Sequence, residues 1–439
     1  MSRVEPELFL PPPPARLRTD VFLTFGGKAL TLGLGLATVA VVARELGPGA
    51  TGTFLVAYSL SLLLLQVGAL GLTSANPYFA AREPGRVAQI IANSVWLAAV
   101  LGILLVGAGA ALKLVAPGAL AGLSWPALGA TLVAIPGALA AYLLQSILLG
   151  EGRMVAYNSV EAGQTALALL GVIAGFVVFG FGITGTLLVL AASRYLAAGT
   201  YLALLVRRSA WLARFDWSLL RRMSAYGFRV YVSIVLSYLI VRFDLLLVNG
   251  YLGRTEAGLY GVAATIADGL FVIPTVIGLN LFPRVARGDP TQASAEVFRS
   301  IAVLFGLLCL LTIPLAGPAI RIFFGESYSG ATSLYYWLLP GIYAYGMVTI
   351  LSGHFAGRGY PRAAIVFWIS GFALNVVLNV IFLPGRGAWV AALTSSITYA
   401  VLLALHMWLF AREAGGYGAM RPRAREVVRF VRVAFSRTG

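Results

Sequence analysis

One stretch of this chain recurs at half-length, and that recurrence limits the possible folds more than any other feature. Leu46-Gly47-Pro48-Gly49-Ala50-Thr51-Gly52-Thr53-Phe54 aligns with Leu252-Gly253-Arg254-Thr255-Glu256-Ala257-Gly258-Leu259-Tyr260 at an offset of 206 residues. At the same offset, without a gap, Val56-Ala57 falls on Val262-Ala263, Leu64 on Leu270, Pro77 on Pro283 and Ala80 on Ala286. Each copy is an apolar segment, a short Gly-containing turn and a second apolar segment. A chain that repeats itself in this way builds two homologous lobes. In membrane proteins, the binding site of such a pair lies between the lobes.

Composition places the lobes in a membrane. The 439 residues are 59% hydrophobic and 11% charged, with a mean hydropathy of +0.88, far too little polar surface for a soluble protein of this size. A helix needs ~20 apolar residues to cross ~30 Å of hydrocarbon, because lipid offers exposed backbone groups no partners. Twelve segments meet that demand: 21–43, 52–80, 88–112, 126–149, 158–180 and 183–206, then 223–250, 257–283, 297–317, 331–355, 362–383 and 388–410. The expected fold is an all-α membrane protein. Its tail is 1–20, its N-lobe 21–206, its linker 207–222, its C-lobe 223–410 and its basic tail 411–439. Six spans per lobe is an even number, so the two repeats are parallel, related by an axis along the membrane normal.

Basic residues set the orientation. Clusters at Arg16/Arg18, Arg82/Arg86, Arg207 to Arg222, Arg284/Arg287, Arg358/Arg362 and Arg412 to Arg437 fall on one side, with only Arg44, Lys113, Arg254, Arg321 and Arg386 in the opposite loops. By the positive-inside rule both termini are cytoplasmic. The same asymmetry accounts for most of the net charge of +16, so nucleic-acid binding is not needed to explain it. The segment 421–437 alternates Arg425, Arg429 and Arg432 with Val427, Val428, Phe430 and Val431. It reads as an amphipathic helix on anionic inner-leaflet lipid.

Several chemistries are poorly supplied. The one cysteine, Cys309, lies in an apolar segment, and His354 and His406 are far apart, so no thiolate or imidazole metal site is expected. Neither lysine, Lys28 nor Lys113, completes a Gly-Lys-Ser/Thr phosphate loop. No cofactor is expected, and no loop is long enough for a soluble catalytic domain.

Polar residues within the spans carry the functional expectation, because ionisable groups in hydrocarbon are costly and turn toward cavities or partners. Lys28 in helix 1 and Arg229 in helix 7 occupy matching depths through the alignment of Phe25-Gly26-Gly27-Lys28 with Tyr226-Gly227-Phe228-Arg229. Two cations facing each other across a two-lobe interface suit a diphosphate; the alternative is snorkelling to headgroups. Arg194 lies ~16 Å into helix 6, either lining the cavity or ion-paired with Asp268 of helix 8. Arg242 and Asp244, toward the outer end of helix 7, point to different faces and serve either helix contacts or the substrate. Asn375 and Asn379, with Gly371, form a stripe on helix 11 that suits helix-to-helix hydrogen bonding or sugar binding. Gly68 and Gly71 of helix 2, and Pro274 and Gly278 of helix 8, are placed to loosen equivalent helices, while Pro136, Pro314 and Pro340 interrupt others.

These residues resemble a known pattern. Val42-Ala43-Arg44-Glu45-Leu46-Gly47-Pro48-Gly49-Ala50-Thr51-Gly52 is similar to the first-loop signature of polysaccharide transporters of the multidrug/oligosaccharidyl-lipid/polysaccharide superfamily. Val67-Gly68-Ala69-Leu70-Gly71-Leu72, Phe243-Asp244-Leu245-Leu246-Leu247 and Leu281-Phe282-Pro283-Arg284 resemble later parts of the same pattern. The resemblance implies a V-shaped, twelve-helix flippase of the bacterial inner membrane. Its implied substrate is a polyprenyl-diphosphate-linked oligosaccharide, and polysaccharide polymerase and glycosyltransferases are its expected partners. A cation-coupled drug antiporter of the same superfamily would call for N-lobe acids, yet helix 1 carries Lys28, and the mid-lobe acid is Glu161 near the cytoplasmic end of helix 5. Lipid II flippases resemble fourteen-helix chains. A membrane glycosyltransferase or ligase would need a large outer loop.

Overall fold

A computed structural model of the chain describes the backbone of residues 14–206, 214–286 and 288–423, and the side chains of these except 14–24, Arg229 and Pro283. Most of the expected amphipathic tail, much of the N-terminal tail and residues 207–213 of the linker fall outside the described residues. The described residues are helical, without strands: α1 (Pro14–Gly68), α2 (Leu72–Arg82), α3 (Val87–Val115), α4 (Trp125–Gly150), α5 (Met154–Phe179), α6 (Ile183–Leu205), α7 (Trp217–Leu252), α8 (Arg254–Ala286), α9 (Thr291–Phe324), α10 (Ala331–Gly357), α11 (Arg362–Phe382) and α12 (Trp389–Ala414).

Eleven helices among the described residues are long and apolar enough to span a membrane, and the first of them, Phe25–Gly68, is 44 residues long. At 1.5 Å per residue that is ~66 Å, about twice the hydrocarbon core. It is two limbs joined at Gly47, whose φ of 72° and ψ of 176° leave helical space. Glycine tolerates that backbone, and Pro48 opens the second limb without needing an N–H partner. Twelve spans result, as expected. Their even number puts both ends of the described chain on one side. The terms inner and outer below follow the orientation that the basic residues predict.

Two expectations about helix breaks need correction. Helix 2 does not run unbroken over 52–80: α1 stops at Gly68, Leu70 (φ 44°) and Gly71 (φ 77°) turn the chain, and α2 resumes. The equivalent helix is not broken in parallel. α8 is continuous through Pro274 and Gly278, braced where the backbones of Gly278 and Gly353 of α10 meet. Pro136, Pro314 and Pro340 likewise sit inside uninterrupted α4, α9 and α10.

Within the first lobe α4 packs against α2, α3 and α6; within the second α10 packs against α8 and α12, and α11 against α12 and α7. The largest apolar core crosses from one lobe to the other, uniting Val42, Phe54 and Leu128 with Leu246, Tyr260 and Tyr328. The inner part of the first lobe has a separate core around Leu72, Ile90, Leu143 and Ile147, and Ile240, Val348, Trp368 and Leu402 form another in the second lobe. The lobes are therefore fused toward their outer ends.

The outer seam is pseudo-symmetric. A Cβ on Gly52 would overlap the carbonyl oxygen of Arg254, and one on Gly258 would overlap that of Pro48. Gly52/Gly258 and Pro48/Arg254 are equivalents under the repeat, so this contact is self-complementary in the manner of a twofold interface. Tyr328, fully buried, donates to Thr51 Oγ1 (2.8 Å) and the Ala43 carbonyl (3.1 Å). Asn249 Nδ2 donates to the carbonyls of Ala121 (3.0 Å) and Ala119 (3.2 Å). Arg44 donates to the carbonyls of Ile322 and Phe323 at the end of α9, and Lys113 to those of Leu120 (2.9 Å) and Leu123 (2.7 Å). Two of the basic residues on the outer side are thus held by backbone carbonyls.

α7 starts at Trp217, inside the expected linker, because Asp216 caps it. The carboxylate accepts from Leu219 N (3.0 Å) and Ser218 Oγ (2.7 Å), and those bonds hold its pKa below the ordinary 3.8. The cap contributes fully above that ordinary value and is lost as pH falls through the lower folded-state pKa. Asn93 locks the same residue to α3: Asp216 N donates to Asn93 Oδ1 (2.8 Å), and Asn93 Nδ2 to the Asp216 carbonyl (2.9 Å). Tyr78 stacks on Tyr226 with ring centroids 4.3 Å apart, and Gly71 meets Gly227 backbone to backbone. The inner half of α7 therefore belongs with α2 and α3, and its outer half with the second lobe.

Candidate functional site

Inward of the outer seam one face of the first limb of α1 packs on α5 and another is uncovered. Phe25, Gly26, Ala29, Leu30 and Gly33 are exposed, as are Leu279 and Phe282 on α8. Charged side chains between these levels are partly accessible although they lie within spans. A charge facing hydrocarbon is too costly to persist, so they face the cleft between the lobes.

The first wall of the cleft is built on α5. Glu161 sits seven residues after Met154, ~10 Å from the inner helix end. Lys28 Nζ reaches it from α1 and donates to both carboxylate oxygens at 2.7 Å. Gln145 Nε2 of α4 donates to Oε2 at 3.0 Å, and the ammonium lies 5.2 Å from the Tyr157 ring centroid. The side chains of Lys28 and Glu161 remain 33% and 22% exposed, so a ligand can approach both. Lys28 therefore turns to a carboxylate within the lobe rather than snorkelling to the headgroups, and its pairing with Glu161 was not among the expectations. The side chain of Arg229, its expected partner across the cleft, lies outside the described residues.

One turn along α5, Gln164 Oε1 accepts from Arg194 Nη1 at 3.2 Å, and Gln164 Nε2 donates to Ser193 Oγ at 3.2 Å. Arg194 lines a cavity of about 60 Å³ with Tyr58, Ser61, Thr131, Ile135 and Leu190. The alternative of an Arg194–Asp268 ion pair is corrected: Asp268 is taken by Arg242. Two cations, Lys28 and Arg194, against one carboxylate leave this wall with a positive excess. Arg194→Ala is expected to abolish transport while the protein still accumulates, because the residue lost bonds only a neutral amide, whose unpaired cost is ~1–3 kcal/mol. Membrane abundance and thermal unfolding of the purified variant, set beside activity, check this. Failure to accumulate would make the role structural.

The opposite wall is an ion pair of the second lobe. Arg242 Nη2 lies 2.6 Å from Asp268 Oδ2, with side chains 19% and 20% exposed. Arg242 is ten residues before Leu252, ~15 Å deep, so it belongs near mid-membrane rather than at the outer helix end. Asp244 points the other way and is buried. It accepts from Tyr260 Oη and, at 3.0 Å, from Ser395 Oγ of α12. Asn375 Nδ2 reaches the same serine at 3.4 Å, and Asn379 Nδ2 donates to the Asn375 carbonyl at 2.9 Å. Asp244, Asn375 and Asn379 thus form one cluster tying α7, α8, α11 and α12 together, whereas the sequence presented them separately. Sequence reasoning missed Tyr260, Ser395, Gln145 and Gln164. The two glutamines were visible as polar residues in apolar helices.

His354 is held by Ser294 (2.8 Å) and Glu413 (3.2 Å), and His406 by the Leu402 carbonyl (2.8 Å). Among the described residues no group of three or more His, Cys, Asp or Glu side chains could hold a metal.

Comparison with known proteins gives a family and a fold. The sequence model of a family described as "Polysaccharide biosynthesis protein" matches residues 17–289. The succinoglycan biosynthesis transport protein ExoT of Rhizobium meliloti is 28% identical over 360 residues, 78% of this chain and 69% of that protein. The "Probable multidrug resistance protein NorM" of Bradyrhizobium diazoefficiens is 30% identical over 270 residues, 54% of this chain and 56% of that protein. The match therefore spans little more than half of NorM's length. Among solved structures, the lipid II flippase MurJ in an inward closed conformation superposes with a TM-score of 0.71 at 13% identity, covering 95% of this chain and 93% of that one. At that identity the likeness is one of fold.

Proposed function

The chain belongs to the polysaccharide biosynthesis protein family. From that premise we propose that it is a flippase carrying a polyprenyl-diphosphate-linked oligosaccharide from the inner to the outer leaflet by alternating access. The observation that carries the proposal is a cleft shut at its outer end, uncovered at its inner end and cationic on its first wall. Lys28 holds Glu161 while the cleft is empty, and a diphosphate oxygen arriving from the inner leaflet replaces that carboxylate. Arg229 engages the same diphosphate from α7, and Arg194 extends the cationic wall outward.

Opening to the other side requires the lobes to part at Gly52 and Gly258 and to release Tyr328, Asn249 and Arg44. A hydrogen bond of this kind contributes ~0.5–1.5 kcal/mol net, so the polar bonds add a few kcal/mol to the apolar core that the lobes share. The balance shifts only as far as the ligand binds the other state more tightly than this one. The Asp244–Tyr260–Ser395 cluster keeps α7, α8 and α12 moving together as a secondary gate. Both termini face the cytoplasm of a bacterial inner membrane in this proposal. Glycosyltransferases supply the substrate and a polymerase consumes the product. The NorM relative favours drug export as the second possibility, but the cleft carboxylates an organic cation would seek, Glu161 and Asp268, are already paired with Lys28 and Arg242.

Complementation tests the proposal. In a strain lacking its polysaccharide flippase, this chain should restore surface polymer, with a reporter after Arg437 reading as cytoplasmic. Restored drug resistance without polymer would overturn it.

A further inference from the structure

The second wall of the cleft carries more than an ion pair. Tyr238 lies one turn before Arg242 on α7, Phe271 lies one turn after Asp268 on α8, and Tyr345 of α10 completes the group; all three rings are half-buried. The Phe271 and Tyr345 centroids are 5.0 Å apart. Behind them Tyr345 packs on Tyr399 at 4.9 Å and on Trp368 at 6.0 Å. Trp368 is itself fixed by a 2.9 Å bond to Tyr360 Oη. The front rings therefore stand on a rigid, buried aromatic base.

From this juxtaposition we propose that Tyr238, Phe271 and Tyr345, with the Arg242–Asp268 pair, form a saccharide-binding subsite on the second lobe, separate from the diphosphate contacts on the first. It rests on the flippase proposal above. A sugar ring offers two chemistries at once: apolar C–H faces that pack on aromatic rings, and adjacent hydroxyls that need donors and acceptors side by side. Rigid aromatic surface with a few fixed polar groups is the usual make-up of a small-ligand site.

The ion pair suits the second need. Arg242 spends Nη2 on Asp268, and among the described residues the pair makes no other hydrogen bond. Guanidinium donors and the Asp268 Oδ1 acceptor remain for the cleft in fixed planar geometry. Charge decides against the other guest that aromatic walls attract. An organic cation would want the rings together with an uncompensated carboxylate, whereas here the carboxylate is already matched by a guanidinium. A neutral, hydroxyl-rich group fits a neutral, aromatic, hydrogen-bonding wall. The substrate would then lie across the cleft, its diphosphate toward α1 and α5 and its sugars toward α7, α8 and α10.

The test uses the full chain in lipid nanodiscs and two probes. One is bare undecaprenyl diphosphate. The other is the glycosylated lipid diphosphate purified from the source organism deleted for this chain. The wild type should bind the glycosylated probe at least tenfold more tightly than the bare one. Tyr345→Ala and Phe271→Leu should erase most of that preference while binding bare lipid within twofold of wild type, which also shows that the variants are folded. Tyr345→Phe, keeping the ring, should retain it. Lys28→Ala should weaken both probes by the same factor. The subsite is refuted if the wild type binds both probes equally, if the ring variants leave the preference intact, or if they weaken both probes alike. Binding of neither probe by the wild type would instead bring down the flippase proposal, and the subsite with it.

Discussion

Gly52→Leu is expected to eliminate transport by preventing the outer ends of the lobes from closing. The obstacle is backbone against backbone: a Cβ at Gly52 would overlap the Arg254 carbonyl oxygen, and one at Gly258 the Pro48 carbonyl oxygen. No side chain can rotate away to make room, so relief comes only by separating α1 from α8. Overpacking a well-packed contact typically costs ~1–3 kcal/mol, comparable with the hydrogen bonds of the seam, so the balance should tip toward an outer-open state. The inner core of the first lobe around Leu72 and Leu143 lies apart from this contact and should keep the lobe folded. The single cysteine, Cys309, is 5% exposed, which permits a clean readout. In a Cys309→Ala background, a cysteine at Leu55, buried against Gly261 one turn inward, should resist a membrane-impermeant maleimide from outside. With Gly52→Leu or Gly258→Leu it should react. Protection in both backgrounds, with transport retained, would show that the seam does not gate the cleft.

Lys28→Ala and Glu161→Gln are expected to move diphosphate affinity in opposite directions. A charge-assisted hydrogen bond is worth ~1.5–3 kcal/mol, so losing Lys28 should weaken binding of undecaprenyl diphosphate by at least tenfold. Glu161 is the internal competitor that holds Lys28 at 2.7 Å. Replacing its carboxylate by a neutral amide keeps the shape, removes the competition and should tighten binding severalfold. The double variant should bind less tightly than wild type but more tightly than Lys28→Ala alone, because without the lysine the Glu161 carboxylate repels the diphosphate. Lys28→Arg should keep most function, whereas Lys28→Glu should abolish it. Equal loss of thermal stability in both single variants, with unchanged affinity, would reduce the pair to a structural brace.

Depth was legible in the sequence; azimuth was not. Hydropathy and helical rise located twelve spans and put Lys28, Arg194 and Asp268 at usable depths, but set Arg242 too near the outer end of helix 7. The 206-residue offset anticipated two lobes whose equivalent glycines, Gly52 and Gly258, meet across the seam. Which residues face each other depends on how each helix is rotated, and the chain's periodicity in apolar spans says little about that. Level alone suggested Arg194 as the partner of Asp268, and the packing of α7 on α8 gives it Arg242 instead. Glu161 was visible as an acid near the inner end of a span, but its union with Lys28 needed α1 and α5 side by side. The aromatic wall of Phe271 and Tyr345 draws on residues 74 positions apart, with no local pattern to join them. The break at Leu70 and Gly71 was hinted at by glycines, yet α8 runs unbroken through the equivalent position, where its backbone meets that of α10.

The most direct measurement follows a fluorescent polyprenyl-diphosphate oligosaccharide in proteoliposomes, with a membrane-impermeant reductant that bleaches only label on the outer leaflet. Wild-type protein should make the inner-leaflet label available to the reductant over time, and protein carrying Lys28→Glu or Gly52→Leu should not. Label that stays protected in vesicles containing folded wild-type protein, while a cationic dye crosses the same membranes, would contradict a flippase and favour a drug exporter.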